Sequence, residues 1–382
     1  MKKTILTVLI LFPCILYSQN KTDFWDKMIV FNYANIDTSN QEINAIAKLW
    51  KRYLMIRLYG IAQKNDTAGF SFWNEEEQKL YKDPDLILGI EPSLNYCETN
   101  ILNIRPIENG YFRIMNVKAE VDSSGKFKTY AIYYVLVKKT DGNLKLYNYF
   151  YLEKEKLKTK PVHNINYYYP ADYIFSQKKA DQFLNFQDSL SALFSCPEPK
   201  TMIYILDEDY TSLLNRLGFL DYNMTGTGTK GGQLIYKEDM ILSSADENHR
   251  HELVHYFTNK MNPDKIGFFD EGLATYFGGN LGHDLQWHIN YLNNYLKTKP
   301  DLDISDVNKF GYVDNMTNPQ YVLGAIFIKY TIDNYGFKKI LVLLQFSARK
   351  LNYQDVIETE FGIKKTDLNS FFKNYLKEHA AK

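Results

Sequence analysis

Cysteine is scarce: three residues in 382, at 14, 97 and 196, too few for a fold built on disulfides. With Cys14 in a leader, Cys97 and Cys196 are either two buried thiols or one bridge. Neither neighbours a histidine in sequence, so neither is a metal-ligand candidate. Excess charge is lacking too. Lys plus Arg and Asp plus Glu number 45 each, which gives no field of one sign for a nucleic acid or an anionic membrane surface. Long apolar runs are confined to the N-terminus, where Lys2 and Lys3 precede residues 4–17 and Ser18 offers a small residue before Gln19. That pattern predicts a signal peptide over 1–18 and export to a periplasmic or extracellular space. The run is shorter than the ~20 residues that cross a bilayer, so no membrane span is expected. Cys14 follows Leu11-Phe12-Pro13 instead of the small residue a lipidation signal needs, so no lipid anchor is expected there.

What the chain has in quantity is apolar and aromatic material. Hydrophobic residues make up 45%, with 31 tyrosines, a composition that can bury a core. The length predicts two domains, and the sequence texture divides them at 165/166. Residues 38–61 carry apolar side chains at helical spacing, with Gly60 near the end. Four alternating runs follow, NILNIRPI, GYFRIMNVKAEV, TYAIYYVLVKK and LKLYNYFYL, separated by turn clusters such as TDGN at 140–143. A helix followed by an antiparallel meander is an α+β pattern over 19–165, and it resembles the cone-shaped domain of nuclear transport factor 2-like proteins.

From 166 to 382 the expected elements are a helix within 170–194, a buried strand at 200–207, a glycine-rich turn and strand over 224–242, and helices thereafter. The turn GTGTKGG is not a phosphate loop, because no Lys-Ser or Lys-Thr pair follows its second glycine. Gly226, Gly228, Gly231 and Gly232 are expected as turn or edge-strand glycines.

The chemistry concentrates in ADENHRHELVHYF, 245–257, which holds three of the seven histidines. Ser244 and Glu247 have the spacing of a capping box, so a helix is expected to start there. On it His251 and His255 lie about 40° apart, one turn above each other, and both imidazoles reach one ion. Glu252 beside them suits a base acting on water without being a ligand. His249 points about 200° away from His251 and is expected at the surface. A catalytic zinc site needs a third protein ligand. The metzincin pattern fails, with Thr258 in place of its glycine and Met261 in place of its third histidine. FDEGLATYFGG, 269–279, has the period of a second helix ended by Gly278-Gly279. The Asn262-Pro263-Asp264 turn lets it fold back, so that Glu271 faces the histidines. Gly272 would allow these two helices to approach closely, and Asp270 or Thr275 would hydrogen-bond the ligands.

H-E-L-V-H followed by D-E-G-L-A-T-Y resembles the gluzincin metallopeptidases, in particular the peptidase-MA-like group related to thermolysin and to aminopeptidases. The interval of 15 residues between His255 and Glu271 is shorter than in the best-known members. The resemblance implies a fold with a short sheet and a mainly helical lobe. It also implies zinc held by His251, His255 and Glu271, with Glu252 as general base. Tyr321 opens Y-V-L-G-A, similar to the group's Y-x-x-G-A segment, which implies that its hydroxyl stabilises the oxyanion. Tyr312, His283 and His288 are the alternatives for that role. The expected activity is a secreted zinc peptidase acting on peptides or proteins. The absence of G-A-M-E-N, with no other anchor for a substrate amino terminus, favours an endopeptidase. A zinc-binding pseudo-peptidase or binding module is the other reading.

Overall fold

The structure is a computed structural model that describes residues 28–65, 67–90, 92–121, 125–222, 230–309 and 317–380. The expected leader with Cys14, the glycines Gly226 and Gly228, and Tyr312 lie outside the described residues. The chain is α+β, and its contacts divide it into two compact units. Residues 156–213 and 226–382 form the second unit, and the remainder forms the first. The division falls between Glu155 and Lys156, ahead of the expected 165/166, and residues 214–225 return to the first unit.

In the first unit, helix α1 spans Gln41–Ala62. Asn40 caps it by accepting hydrogen bonds from the Glu42 and Ile43 amides, which otherwise have no helical partner. Its buried stripe, Ile43, Ile46, Ala47, Trp50, Tyr53, Leu54 and Leu58, follows the helical repeat. The sheet runs β1 (Ile29–Phe31), β2 (Glu98–Pro106), β3 (Tyr111–Val121), β4 (Phe127–Thr140) and β5 (Asn143–Asn148). β2 to β5 form the expected antiparallel meander. Asp141 and Gly142 both adopt positive φ, 50° and 82°, as a two-residue hairpin turn of the primed type requires. The fourth run does not stay a strand: after Asn148 the chain closes a short helix, Phe150–Glu153. A buried polar pair ties helix to sheet, the Trp50 indole N–H donating to Asn116 at 2.8 Å, and the Tyr53 hydroxyl donates to the buried Asp85, ahead of the short helix Leu86–Ile90, at 2.6 Å.

The second unit carries its own five-stranded sheet, in the order β10-β11-β8-β7-β6. β6 (Lys158–Val162) and β7 (Ile165–Tyr169) form a hairpin, and β7 runs parallel to β8 (Met202–Leu206). β8 is parallel to β11 (Met240–Ser243), whose outer neighbour is the antiparallel edge strand β10 (Gly232–Ile235). β9 (Phe219–Tyr222) belongs to the first unit and pairs with β4. The helices of the second unit include α2 (Gln177–Phe194), α3 (Arg250–Met261), α4 (Gly267–Gly278), α5 (Leu285–Thr298) and α6 (Pro319–Tyr335), with three shorter than α6 after it. α3, α4 and α6 are packed through their apolar faces into one core that includes Leu253, Phe257, Leu273, Leu323 and Phe327.

Glycine sets two close approaches here. A Cβ on Gly272 would stand 2.7 Å from the Gly324 carbonyl oxygen, so α4 lies backbone to backbone on α6. The expectation that Gly272 spaces α4 against the histidine helix is thereby corrected. Gly278 does that instead, since its Cβ would stand 2.7 Å from the His251 Cα and closer still to the His251 amide nitrogen.

Cys97 and Cys196 are half-buried thiols not joined in a disulfide. Among the described residues no helix is long and apolar enough to cross a membrane.

Candidate metal centre

α3 begins at Arg250, not at Ser244. Ser244 is spent elsewhere: its hydroxyl donates to the Gly231 carbonyl at 3.0 Å and accepts from the Gly231 amide at 2.8 Å. Glu247 is buried, and its carboxylate accepts the Ser176 amide at 2.6 Å at the start of α2. The segment between β11 and α3 is therefore a loop fixed by distant partners, and it delivers the histidine helix to the edge of the sheet.

On α3, His251 and His255 stand one turn apart, with ring centroids 5.0 Å from each other. α4 brings Glu271 to both: its Oε2 lies 3.2 Å from His251 Nε2 and 3.5 Å from His255 Nε2. The three ligand atoms lie within 4.8 Å of one another. Donors bound at ~2.1 Å to one tetrahedral ion stand about 3.4 Å apart, so the residues present fit a metal ion.

The second nitrogen of each ring is held from behind. His251 Nδ1–H donates to the Gly279 carbonyl at 2.8 Å, just past the end of α4. His255 Nδ1 lies 3.2 Å from Asp270 Oδ1. With Nδ1 of each ring occupied in this way, Nε2 is the nitrogen left facing Glu271, and it is the one a metal would take once its proton is lost. Asp270 is itself held, accepting the Thr258 hydroxyl at 2.6 Å and pairing with Lys265 Nζ at 3.2 Å. Of the two expected supports, Asp270 takes that place. Thr275 does not: its buried hydroxyl has no hydrogen-bond partner among the described residues.

Electrostatics follow from this packing. Burial pushes Glu271 up, but the charges and hydrogen bonds of His255 and His251 more than reverse it and hold the carboxyl well below its usual range. Burial likewise opposes charge on His255, yet Asp270 and Glu271 outweigh it and raise the imidazole well above its ordinary value. His251 is raised in the same way, with burial overcome first by the Glu271 hydrogen bond. Without metal the cluster satisfies itself by holding protons, and metal binding would release them.

Glu252 is buried beside the histidines and lines the same cavity of about 310 Å³. Tyr321, near the start of α6, lines it as well, with its ring centroid 6.1 Å from that of His251. Of the alternatives, the two that are described, His283 and His288, do not line it. His283 stacks on Trp287 at 3.9 Å, and His288 is buried on α5 with Nε2 2.9 Å from the Asn280 carbonyl oxygen.

His249 is not a surface residue. Its ring packs on the Gly232 backbone, its Nδ1 lies 3.0 Å from Ser243 Oγ, and its Nε2 lies 3.9 Å from Glu252 Oε1. Burial lowers its pKa, partly countered by Glu252. Sequence reasoning also missed Lys265 and Asn259. Lys265 carries no local signal, whereas Asn259 continues the row of His251 and His255 at the same four-residue interval and was legible on that basis. No protein-family model matches this chain, and a comparison with curated proteins likewise finds no match.

Proposed function

We propose that the second unit is a gluzincin-type zinc peptidase and that the protein acts as an exported endopeptidase. The observation that carries this reading is the convergence of His251 Nε2, His255 Nε2 and Glu271 Oε2 beside Glu252 in one cavity. Two histidines and a glutamate are a donor set for catalytic zinc. Bound there, zinc would supply Lewis-acid polarisation of the scissile carbonyl and lower the pKa of a water.

The chain's own residues do the rest. Glu252 accepts a proton from the attacking water as its oxygen bonds to the carbonyl carbon. As the C–N bond breaks, Glu252 delivers that proton to the departing amine nitrogen. The Tyr321 hydroxyl donates a hydrogen bond to the oxygen on which negative charge develops. Asp270 and the Gly279 carbonyl hold His255 and His251 with Nε2 toward Glu271, where a metal would be held. Export is supported by Lys2, Lys3 and the apolar residues 4–17. The helix and meander of the first unit agree with a nuclear transport factor 2-like domain, to which no chemistry is assigned.

Zinc content and cleavage of an unfolded protein, measured for wild type and Glu252→Gln, test the reading. Both proteins should hold about one zinc per chain and only wild type should cleave. Stoichiometric zinc with no cleavage by either, across varied substrates, would leave the pseudo-peptidase reading.

A further inference from the structure

The cavity extends beyond the metal centre along α3, and one polar group there is held in a single orientation by the protein. Asn259 lines the cavity one helical turn past His255, roughly 6 Å along the axis. Its Oδ1 accepts a hydrogen bond from Lys265 Nζ at 2.8 Å. A lysine only donates, so that contact decides which end of the amide faces Lys265. Lys265 in turn is buried and anchored by Asp270 at 3.2 Å, so it cannot swing away without abandoning a buried carboxylate. The Asn259 amide NH₂ is left as the group offered to the cavity, and it meets no acceptor among the described residues.

Resting on the peptidase reading above, we propose that Asn259 is a substrate-binding residue. Its NH₂ donates to a backbone carbonyl of the bound peptide, and Lys265 is the positioning residue that aims it. An extended chain advances ~3.3 Å per residue. The carbonyl concerned therefore lies about two residues from the scissile bond. One lysine thus couples two tasks, holding Asp270 behind His255 and holding Asn259 toward the substrate.

Asn259→Asp separates this role from a structural one, because a carboxylate keeps the Lys265 contact and removes the donor, at the cost of one added negative charge that Asn259→Ala does not bring. Asn259→Ala serves as the second variant. The assay measures kcat/KM, zinc content and melting temperature with blocked peptides in which each backbone carbonyl in turn is reduced to a methylene. Asn259→Asp should keep zinc and melting temperature and lose roughly 10- to 100-fold in kcat/KM, mostly through KM. In wild type, one reduced position about two residues from the cleaved bond should cost a similar factor, and in Asn259→Asp the same reduction should cost nothing further. An Asn259→Asp enzyme within twofold of wild type would overturn the proposal and leave the peptidase reading standing. A zinc-loaded wild type that cleaves none of the peptides would overturn the peptidase reading and this inference with it.

Discussion

Gly278→Ala sets two physical effects against each other, and the sign of the outcome decides between them. Gly278 is the last residue of α4 and has no positive φ, so alanine fits its backbone. By helix propensity alone the change should stabilise by up to about 1 kcal/mol. The new Cβ, however, would stand 2.7 Å from the His251 Cα and nearer still to its amide nitrogen. Both are backbone atoms, with no rotamer to relieve the clash. Restoring ordinary separations of about 3.5–4 Å would part α3 and α4 by roughly 1 Å. Overpacking of that kind costs about 1–3 kcal/mol, which exceeds the propensity gain. The displacement also falls where Gly279 accepts the His251 Nδ1–H bond, so metal affinity should drop about 10- to 100-fold. Gly89 is the control, since a Cβ there meets nothing within 4 Å and its φ is not positive. Urea unfolding of both variants, with a competition titration against a zinc chelator, reads both numbers. A Gly278→Ala protein as stable as Gly89→Ala, with unchanged zinc affinity, would refute the close approach and the role given to Gly279.

Asp270→Ala should weaken zinc binding about 10- to 100-fold. It should also cost about 3–5 kcal/mol by leaving the Lys265 charge buried without its carboxylate, and adding Lys265→Met should recover the stability but not the affinity. Tyr321→Phe should hold zinc and keep KM while kcat falls ~100-fold, and a kcat within twofold of wild type would remove Tyr321 from the oxyanion role. Burial raises Glu77, in the short helix Glu75–Leu80, from its usual 4.5 to about 7, against hydrogen bonds from Asn148. A carboxyl raised in the folded state stabilises fully below the unfolded pKa, and that stability is lost as pH rises through the folded value. Between pH 4.5 and 7 the wild type should therefore lose about 3 kcal/mol relative to Glu77→Gln, and parallel pH profiles in urea unfolding would contradict this.

That His251, His255 and Glu271 come together was legible because each signal is local. His251 and His255 repeat at one helical turn, and Glu271 sits in a short helix whose end Gly278 and Gly279 mark. The start of α3 was not, because Ser244 and Glu247 carry the capping-box letters but bond to Gly231 and Ser176 instead. Those partners lie 13 and 71 residues away, and the long-range bonds override the local preference. His249 departs from its expected surface position for a related reason: it precedes the first residue of α3, so a helical angle does not place it, and β10 covers its ring at Gly232. The sequence texture places the unit boundary later than the contacts do because the hairpin β6–β7 continues the strand-rich pattern before it. The pairing that claims β7, with β8, lies beyond the whole of α2. Lys265 shows the same limit at a single side chain, since its value to the site depends on Asn259 and Asp270 reaching it from two different helices.

The most direct measurement is a crystal structure of the zinc-loaded protein with anomalous diffraction at the zinc edge. One peak is expected about 2.0–2.2 Å from His251 Nε2, His255 Nε2 and a Glu271 oxygen, with the fourth position open to the cavity beside Glu252. A peak elsewhere, or a fourth position filled by a protein side chain, would contradict a catalytic zinc site.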